Sequence, residues 1–118
     1  MSIPAITTQQ PQCLPWFIYI IETRHGELYT GITTDVNRRM AQHRGERKGG
    51  AKYLRNKGPF TTRQLWQTVN RSSATQAELW IKSQSKKNKL ALLDEPASMP
   101  FEDVFVCERL SDSVLLRE

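Results

Sequence analysis

The apolar positions of this chain gather into clusters separated by polar, glycine-containing stretches, and the spacing inside each cluster predicts its element. Trp16-Phe-Ile-Tyr-Ile-Ile21 is apolar on both alternating faces, as a strand covered on each side must be, and reads as the central strand of a sheet. The polar run Thr23-Arg-His-Gly-Glu27 and a second short strand, Leu28 to Ile32, complete a hairpin. Thr33-Thr34-Asp35 offers an N-cap for a helix from about Asp35 to Arg44, with Val36 and Met40 starting its buried stripe. Gly45 to Gly58 is a glycine-rich basic loop with room for one helical turn around Lys52 to Arg55, closed by Lys57-Gly58-Pro59. Phe60 to Val69, with its threonines and Trp66, forms the third strand. Ser73-Ala-Thr-Gln76 matches a capping box and opens a long helix whose apolar face is Ala77, Trp80 and Ile81. A lysine-rich continuation, Lys82 to Leu93, follows.

The expected fold is therefore α/β in the α+β sense: a small three-stranded antiparallel sheet flanked by helices, in the order β-β-α-(α)-β-α-α. A length of 118 residues fits one domain. We divide the chain into a flexible N-terminal tail (1–14), the folded domain (15–93) and an acidic C-terminal extension (94–118). The apolar residues of Phe101 to Leu116 have no clean period, which leaves two outcomes open: docking on the core as an extra element, or partial mobility. No apolar run reaches the roughly 20 residues of a membrane-spanning helix. The segment MSIPAITTQQPQ lacks the basic region and apolar stretch of a signal peptide. Cys13 and Cys107 have no metal-type spacing and read as reduced thiols of a cytoplasmic protein.

Charge changes the picture more through its distribution than its total. Residues 94–118 carry seven acids against Arg109 and Arg117, a net −5, so residues 1–93 carry +10 of the overall +5. Within that stretch Arg44, Arg47, Lys48, Lys52, Arg55 and Lys57 face a single acid, Glu46. Such a field favours a polyanion, and phosphate contacts are the main sequence-independent source of nucleic-acid affinity. Lys82, Lys86 and Lys87, with Lys89, extend the basic set. The bland alternative is a solvated basic face kept for solubility.

The hairpin is where sequence becomes geometry. A two-residue turn at His25-Gly26 would place Tyr19 and Tyr29 on opposite faces. A three-residue loop, Arg24-His25-Gly26, places both on one face with Tyr19 opposite Gly31, and Gly26 supplies the positive φ that its last position wants. A glycine opposite a tyrosine leaves room for a ring or a substrate atom. Arg39 and His43 stand one turn apart on the first helix and share a face, although an Asp35–Arg39 pair and a solvated histidine are commoner. Residues 1–93 hold five carboxylates (Glu22, Glu27, Asp35, Glu46 and Glu78), and only Glu78 sits mid-element beside core residues. It could simply pair with Lys82. If a divalent ion binds, Glu78 is the best candidate ligand, and one isolated carboxylate suits one hydrated hard cation.

Phe17-Ile18-Tyr19, Tyr29-Thr30-Gly31, Arg39-x-x-x-His43 and a helix carrying Glu78 before Ile81-Lys82, in this order, resemble the GIY-YIG nuclease superfamily, in particular its small stand-alone bacterial members. The resemblance spans about Trp16 to Leu93, with Phe17 where the first motif has glycine. It implies a divalent-metal-dependent endonuclease that hydrolyses phosphodiester bonds in DNA at one Mg2+ or Mn2+ ion. By position, Glu78 would be the metal ligand and Arg39 would stabilise charge on the scissile phosphate. Tyr19, Tyr29 and His43 would orient or deprotonate the attacking water, with the two tyrosines equal candidates for the base. Asn88 is the nearby asparagine where many members have one, but its lysine-rich surroundings keep it out of the site. DNA is favoured over RNA as partner, with cleavage governed by DNA structure more than by sequence. Two alternatives stay open: a nucleic-acid-binding module on the same fold that cuts nothing, and a nuclease subunit that needs a partner.

Overall fold

The computed structural model describes residues 15–107; the expectations for residues 1–14, Cys13 included, and for the chain beyond Cys107 lie outside the described residues. Strand β1 (Trp16–Glu22) lies between β2 (Leu28–Thr33) and β3 (Thr61–Thr68), and all pairings are antiparallel. Ile18, Tyr19, Ile20 and Ile21 are each 1% exposed or less, which is why this strand carries no polar alternation. Thr23 N–H donates to the Glu27 carbonyl and Gly26 N–H to the Thr23 carbonyl, each at 2.9 Å, so the hairpin closes on the three-residue loop. Gly26 has φ +84°, the left-handed value that this loop demands of its last residue.

Helix α1 (Val36–His43) starts at Asp35, whose side chain accepts the Arg38 N–H at 3.0 Å. A short 3-10 turn at Lys52–Leu54 interrupts the basic loop. Helices α2 (Arg71–Ser83) and α3 (Lys86–Asp94) follow β3. The sheet separates two apolar layers. Ile18, Ile20 and Trp66 pack against Ala74, Ala77 and Ile81 of α2 and Leu92 of α3. On the other face Tyr19, Ile21 and Leu65 pack against Val36 and Met40 of α1 and Leu54 of the 3-10 turn. The candidate tyrosines thus lie under α1, near the β2 edge of the sheet. Among the described residues no helix is long and apolar enough to cross a membrane.

Two sequence expectations need correction. The sheet has four strands rather than three, because β4 (Phe105–Val106) pairs with Trp66 and Gln67 at the outer edge of β3. Met99 and Val104 are buried against Trp66, the Trp66 indole donates to the Pro96 carbonyl (3.1 Å), and the Thr68 hydroxyl donates to the Asp103 carbonyl (2.6 Å). The apolar residues of this segment dock one by one around Trp66, which leaves no period to read. Second, α2 begins at Arg71, ahead of the Ser73–Gln76 box, because the Asn70 side chain accepts the Ser73 N–H at 2.8 Å and caps the helix first. The lysine-rich stretch supplies the second helix of the expected α-α pair: the chain breaks at Gln84 and restarts under Ser85, whose hydroxyl accepts the Asn88 N–H.

Candidate active site

Tyr19 stands opposite Gly31 across β1 and β2, the register that puts Tyr29 on the same face; the two ring centroids are 6.4 Å apart. The Tyr19 ring reaches over Gly31, where a Cβ would sit 2.3 Å from its hydroxyl oxygen and 2.5 Å from Cζ. Only glycine accommodates this approach. The ring is thereby directed to His43, whose Nε2 is 2.8 Å from the Tyr19 hydroxyl.

The other imidazole nitrogen fixes the proton. Ala51 N–H, a donor only, approaches His43 Nδ1 at 3.4 Å, so Nδ1 is the unprotonated nitrogen. Nε2 then carries the ring hydrogen and donates it to the Tyr19 oxygen. Burial and the nearby Arg39 guanidinium hold the His43 pKa down at about 4, so the ring is neutral at pH 7. Burial pushes Tyr19 up to about 12, opposed by a hydrogen bond from Arg39 and by its charge, and reinforced by Tyr29 and the negative charge of Glu78. Arg39, Tyr29 and Glu78 therefore all act electrostatically at the Tyr19 hydroxyl.

Arg39 is held from behind: its Nη1 donates to Gln42 Oε1 (2.8 Å) and to the Gly49 carbonyl (2.9 Å). The segment from Gly49 to Ala51 thus holds both Arg39 and His43. Glu78 belongs to α2 on the opposite layer and flanks the buried stripe Ala74, Ala77 and Ile81. Its side chain is 17% exposed and pairs with Lys82 at 3.1 Å, the partner read from the four-residue spacing. Tyr29 meets His43 edge-on and stacks on Tyr53, centroids 5.8 Å apart. Tyr53 was not foreseen from sequence. It is 45% exposed, with the Lys57 ammonium 3.8 Å over its ring. The available signal was an aromatic interleaved with bases in the loop.

The basic residues divide. Arg44 pairs with Glu46, Lys57 with Glu27, Lys82 with Glu78, and Lys86 donates to the Gly26 carbonyl. Lys52 and Lys87 are exposed. Arg47, Lys48 and Arg55 are brought together with His43 around a cleft of about 300 Å³ at the C-terminal end of α1. The Asn88 side chain donates to Gln84 Oε1 at 3.4 Å. Among the described residues no group of three His, Cys, Asp or Glu side chains could hold a metal ion.

The depressed His43 pKa has a consequence for stability. The unfolded chain takes up a proton near pH 6.5 and the folded one only near 4, so stability falls as pH drops through that window and levels off below it. We expect a loss of about 3 kcal/mol. Urea midpoints measured from pH 7 to 4 should show this slope, and His43→Gln should remove it.

The family profile of the GIY-YIG catalytic domain matches residues 15–91. The UPF0213 protein YhbQ of Escherichia coli O127:H6 is 47% identical over 83 residues, covering 70% of this chain and 81% of that protein. The protein of the same name from Shigella boydii serotype 18 is 46% identical over the same coverage. The solution NMR structure of the UPF0213 protein BH0048 from Bacillus halodurans shares 35% identity, covers 75% of this chain and 92% of that one, and superposes with a TM-score of 0.47.

Proposed function

Because the chain belongs to the GIY-YIG catalytic domain family, we propose that it is an endonuclease that hydrolyses phosphodiester bonds in DNA with the help of one divalent cation. The observation that carries this reading is the contact of the Tyr19 hydroxyl with neutral His43 at 2.8 Å beside Arg39. A binding surface needs basic side chains. It does not need a buried phenol bonded to a buried imidazole.

Arg39 binds the scissile phosphate and neutralises the charge that develops on its oxygens, a task suited to the guanidinium fork. Tyr19 first releases its own phenolic proton to solvent. The phenolate then receives the proton of the attacking water as the water oxygen bonds to phosphorus and the P–O bond to the leaving oxygen breaks, the leaving oxygen taking its proton from solvent. The Tyr19 oxygen already accepts from His43 Nε2, which steadies the phenolate once formed and leaves the Tyr19 O–H directed away from the imidazole. Tyr29 packs His43 and Tyr19 in place. The bases around His43 hold the flanking phosphates, contacts that position a strand without reading its sequence.

The donor set fits a hard cation. Glu78 offers one mostly buried carboxylate whose partner is a half-exposed, displaceable lysine, and a single carboxylate with waters is the usual setting for magnesium. A bound Mg2+ or Mn2+ supplies positive charge to the scissile phosphate and favours the ionised form of Tyr19.

The test is nicking of supercoiled plasmid and branched DNA with magnesium or manganese. Wild type should cut and chelator should stop it, while Glu78→Ala should cut at least about 100-fold more slowly. Equal cleavage by the two proteins would remove Glu78 from the site. Salt-sensitive DNA binding with no cleavage under any metal would favour the non-catalytic module.

A further inference from the structure

The bases anticipated from sequence lie at or after the C-terminal end of α1. A second basic cleft opens towards its other end. It has a volume of about 360 Å³, and its walls include Trp16 at the start of β1, Thr33 at the end of β2, Arg38 and Arg39 of α1, and Arg71 at the start of α2. The Arg71 guanidinium lies over the Trp16 indole, 5.6 Å from the ring centroid. Asp35 is the one carboxylate in the lining, and its Oδ1 is engaged by the Arg38 N–H. Three guanidiniums therefore face one carboxylate. Arg38 and Arg71 are exposed, and among the described residues neither has a salt-bridge partner.

The position of this cleft matters as much as its charge. Arg39, which acts at the Tyr19 hydroxyl, is one of its walls, and Thr33 stands two residues along β2 from Gly31. Gln42 lines both this cleft and the one formed by Arg47, Lys48 and Arg55. The two clefts thus meet at Gln42, with Arg39 opening into one and His43 into the other.

We propose that the Arg38–Arg71–Trp16 cleft binds the sugar-phosphate backbone on one side of the scissile bond, and that the strand continues past Arg39 and His43 into the Arg47–Lys48–Arg55 cleft. The inference rests on the nuclease reading and deepens it. Guanidiniums on both sides of Arg39 hold a strand that crosses the site rather than ending in it, so cleavage falls inside a chain with phosphates on both flanks. Arg38 and Arg71 are point contacts to phosphate. Trp16 adds an apolar face against which the sugar or an unstacked base can rest.

The experiment measures binding without chemistry. A labelled 20-base-pair duplex and the matching single strand are titrated by fluorescence anisotropy in chelator, across a salt series, with wild type, the double variant Arg38→Ala/Arg71→Ala and its lysine counterpart. Each phosphate contact contributes about 0.9 to the slope of log K against log salt on duplex DNA and about 0.7 on a single strand. The alanine variant is expected to lose about one to two units of slope and about tenfold in affinity at low salt, and the lysine variant to recover the slope. Far-UV circular dichroism confirms that the variants are folded. Unchanged slope and affinity in the alanine variant would overturn the proposal. So would competition by millimolar inorganic phosphate as effective as that by unlabelled DNA, which would mark an isolated anion site. A protein that never cuts DNA but shows the slope change retains the binding track and loses the nuclease reading; one that cuts with an unchanged slope does the reverse.

Discussion

Gly31→Val is expected to abolish detectable cleavage and to lower stability by about 1–3 kcal/mol, the usual cost of forcing extra methyl groups into a packed site. The first added carbon would lie 2.3 Å from the Tyr19 hydroxyl oxygen, and the ring, 1% exposed, cannot keep its place beside it. Either the ring swings off His43 or β2 moves away from β1. Both outcomes carry the hydroxyl away from Nε2 and from Arg39, and a misplacement of about 1 Å at a reacting group costs about 100-fold. Gly31→Ala should show the same effects in weaker form, since its single Cβ already meets the phenol oxygen and Cζ. The readouts are plasmid nicking rate and urea midpoint, taken where the variant is still folded. A folded Gly31→Val protein that cuts DNA at the wild-type rate would show that the chemistry does not depend on where Tyr19 lies.

The register behind this prediction was legible in the sequence because one residue decides it. Gly26 permits the left-handed position of a three-residue loop, and every pairing in the hairpin follows from that choice. Asp35 announced α1 just as directly, since its side chain meets the backbone three residues on. Other features depend on competition that a local pattern does not resolve. Asn70 and Ser73 both resemble caps, and the structure uses Asn70 because its side chain reaches the Ser73 N–H. Strand β4 is two residues long and is held by β3 and the crevice around Trp66, so no run of its own marked it. The candidate site was legible as a set of residue types that the fold brings near Tyr19, but not as electrostatics. Arg39 does lower the Tyr19 pKa, but burial outweighs it and leaves the phenol at about 12, a balance that residue spacing does not announce. Arg38 and Arg71 lie 33 positions apart on helices of opposite layers, and only the folded sheet between them brings both to one cleft.

Tyr19→Phe is expected to slow cleavage about 100- to 10,000-fold, the range for loss of a positioned proton acceptor, while Tyr29→Phe should cost much less. Sequence left the two tyrosines equal, and their surroundings separate them. The Tyr19 oxygen is 2.8 Å from His43 Nε2 and within the influence of Arg39 and Glu78, whereas the Tyr29 ring packs edge-on to His43 and stacks on Tyr53. Deleting the Tyr19 hydroxyl also leaves the buried Nε2–H without its acceptor, at a cost of about 1–3 kcal/mol. Rates must therefore be compared under conditions where urea midpoints show both variants folded. The pH dependence adds a check that a structural defect would not imitate. A rate limited by ionisation of Tyr19 should rise with pH through the neutral range, because the phenol starts high, and Tyr19→Phe should lose that rise while Tyr29→Phe keeps it. If instead Tyr29→Phe is the slow variant and flattens the profile, the proton passes to Tyr29, and the Tyr19–His43 contact serves to hold the site together.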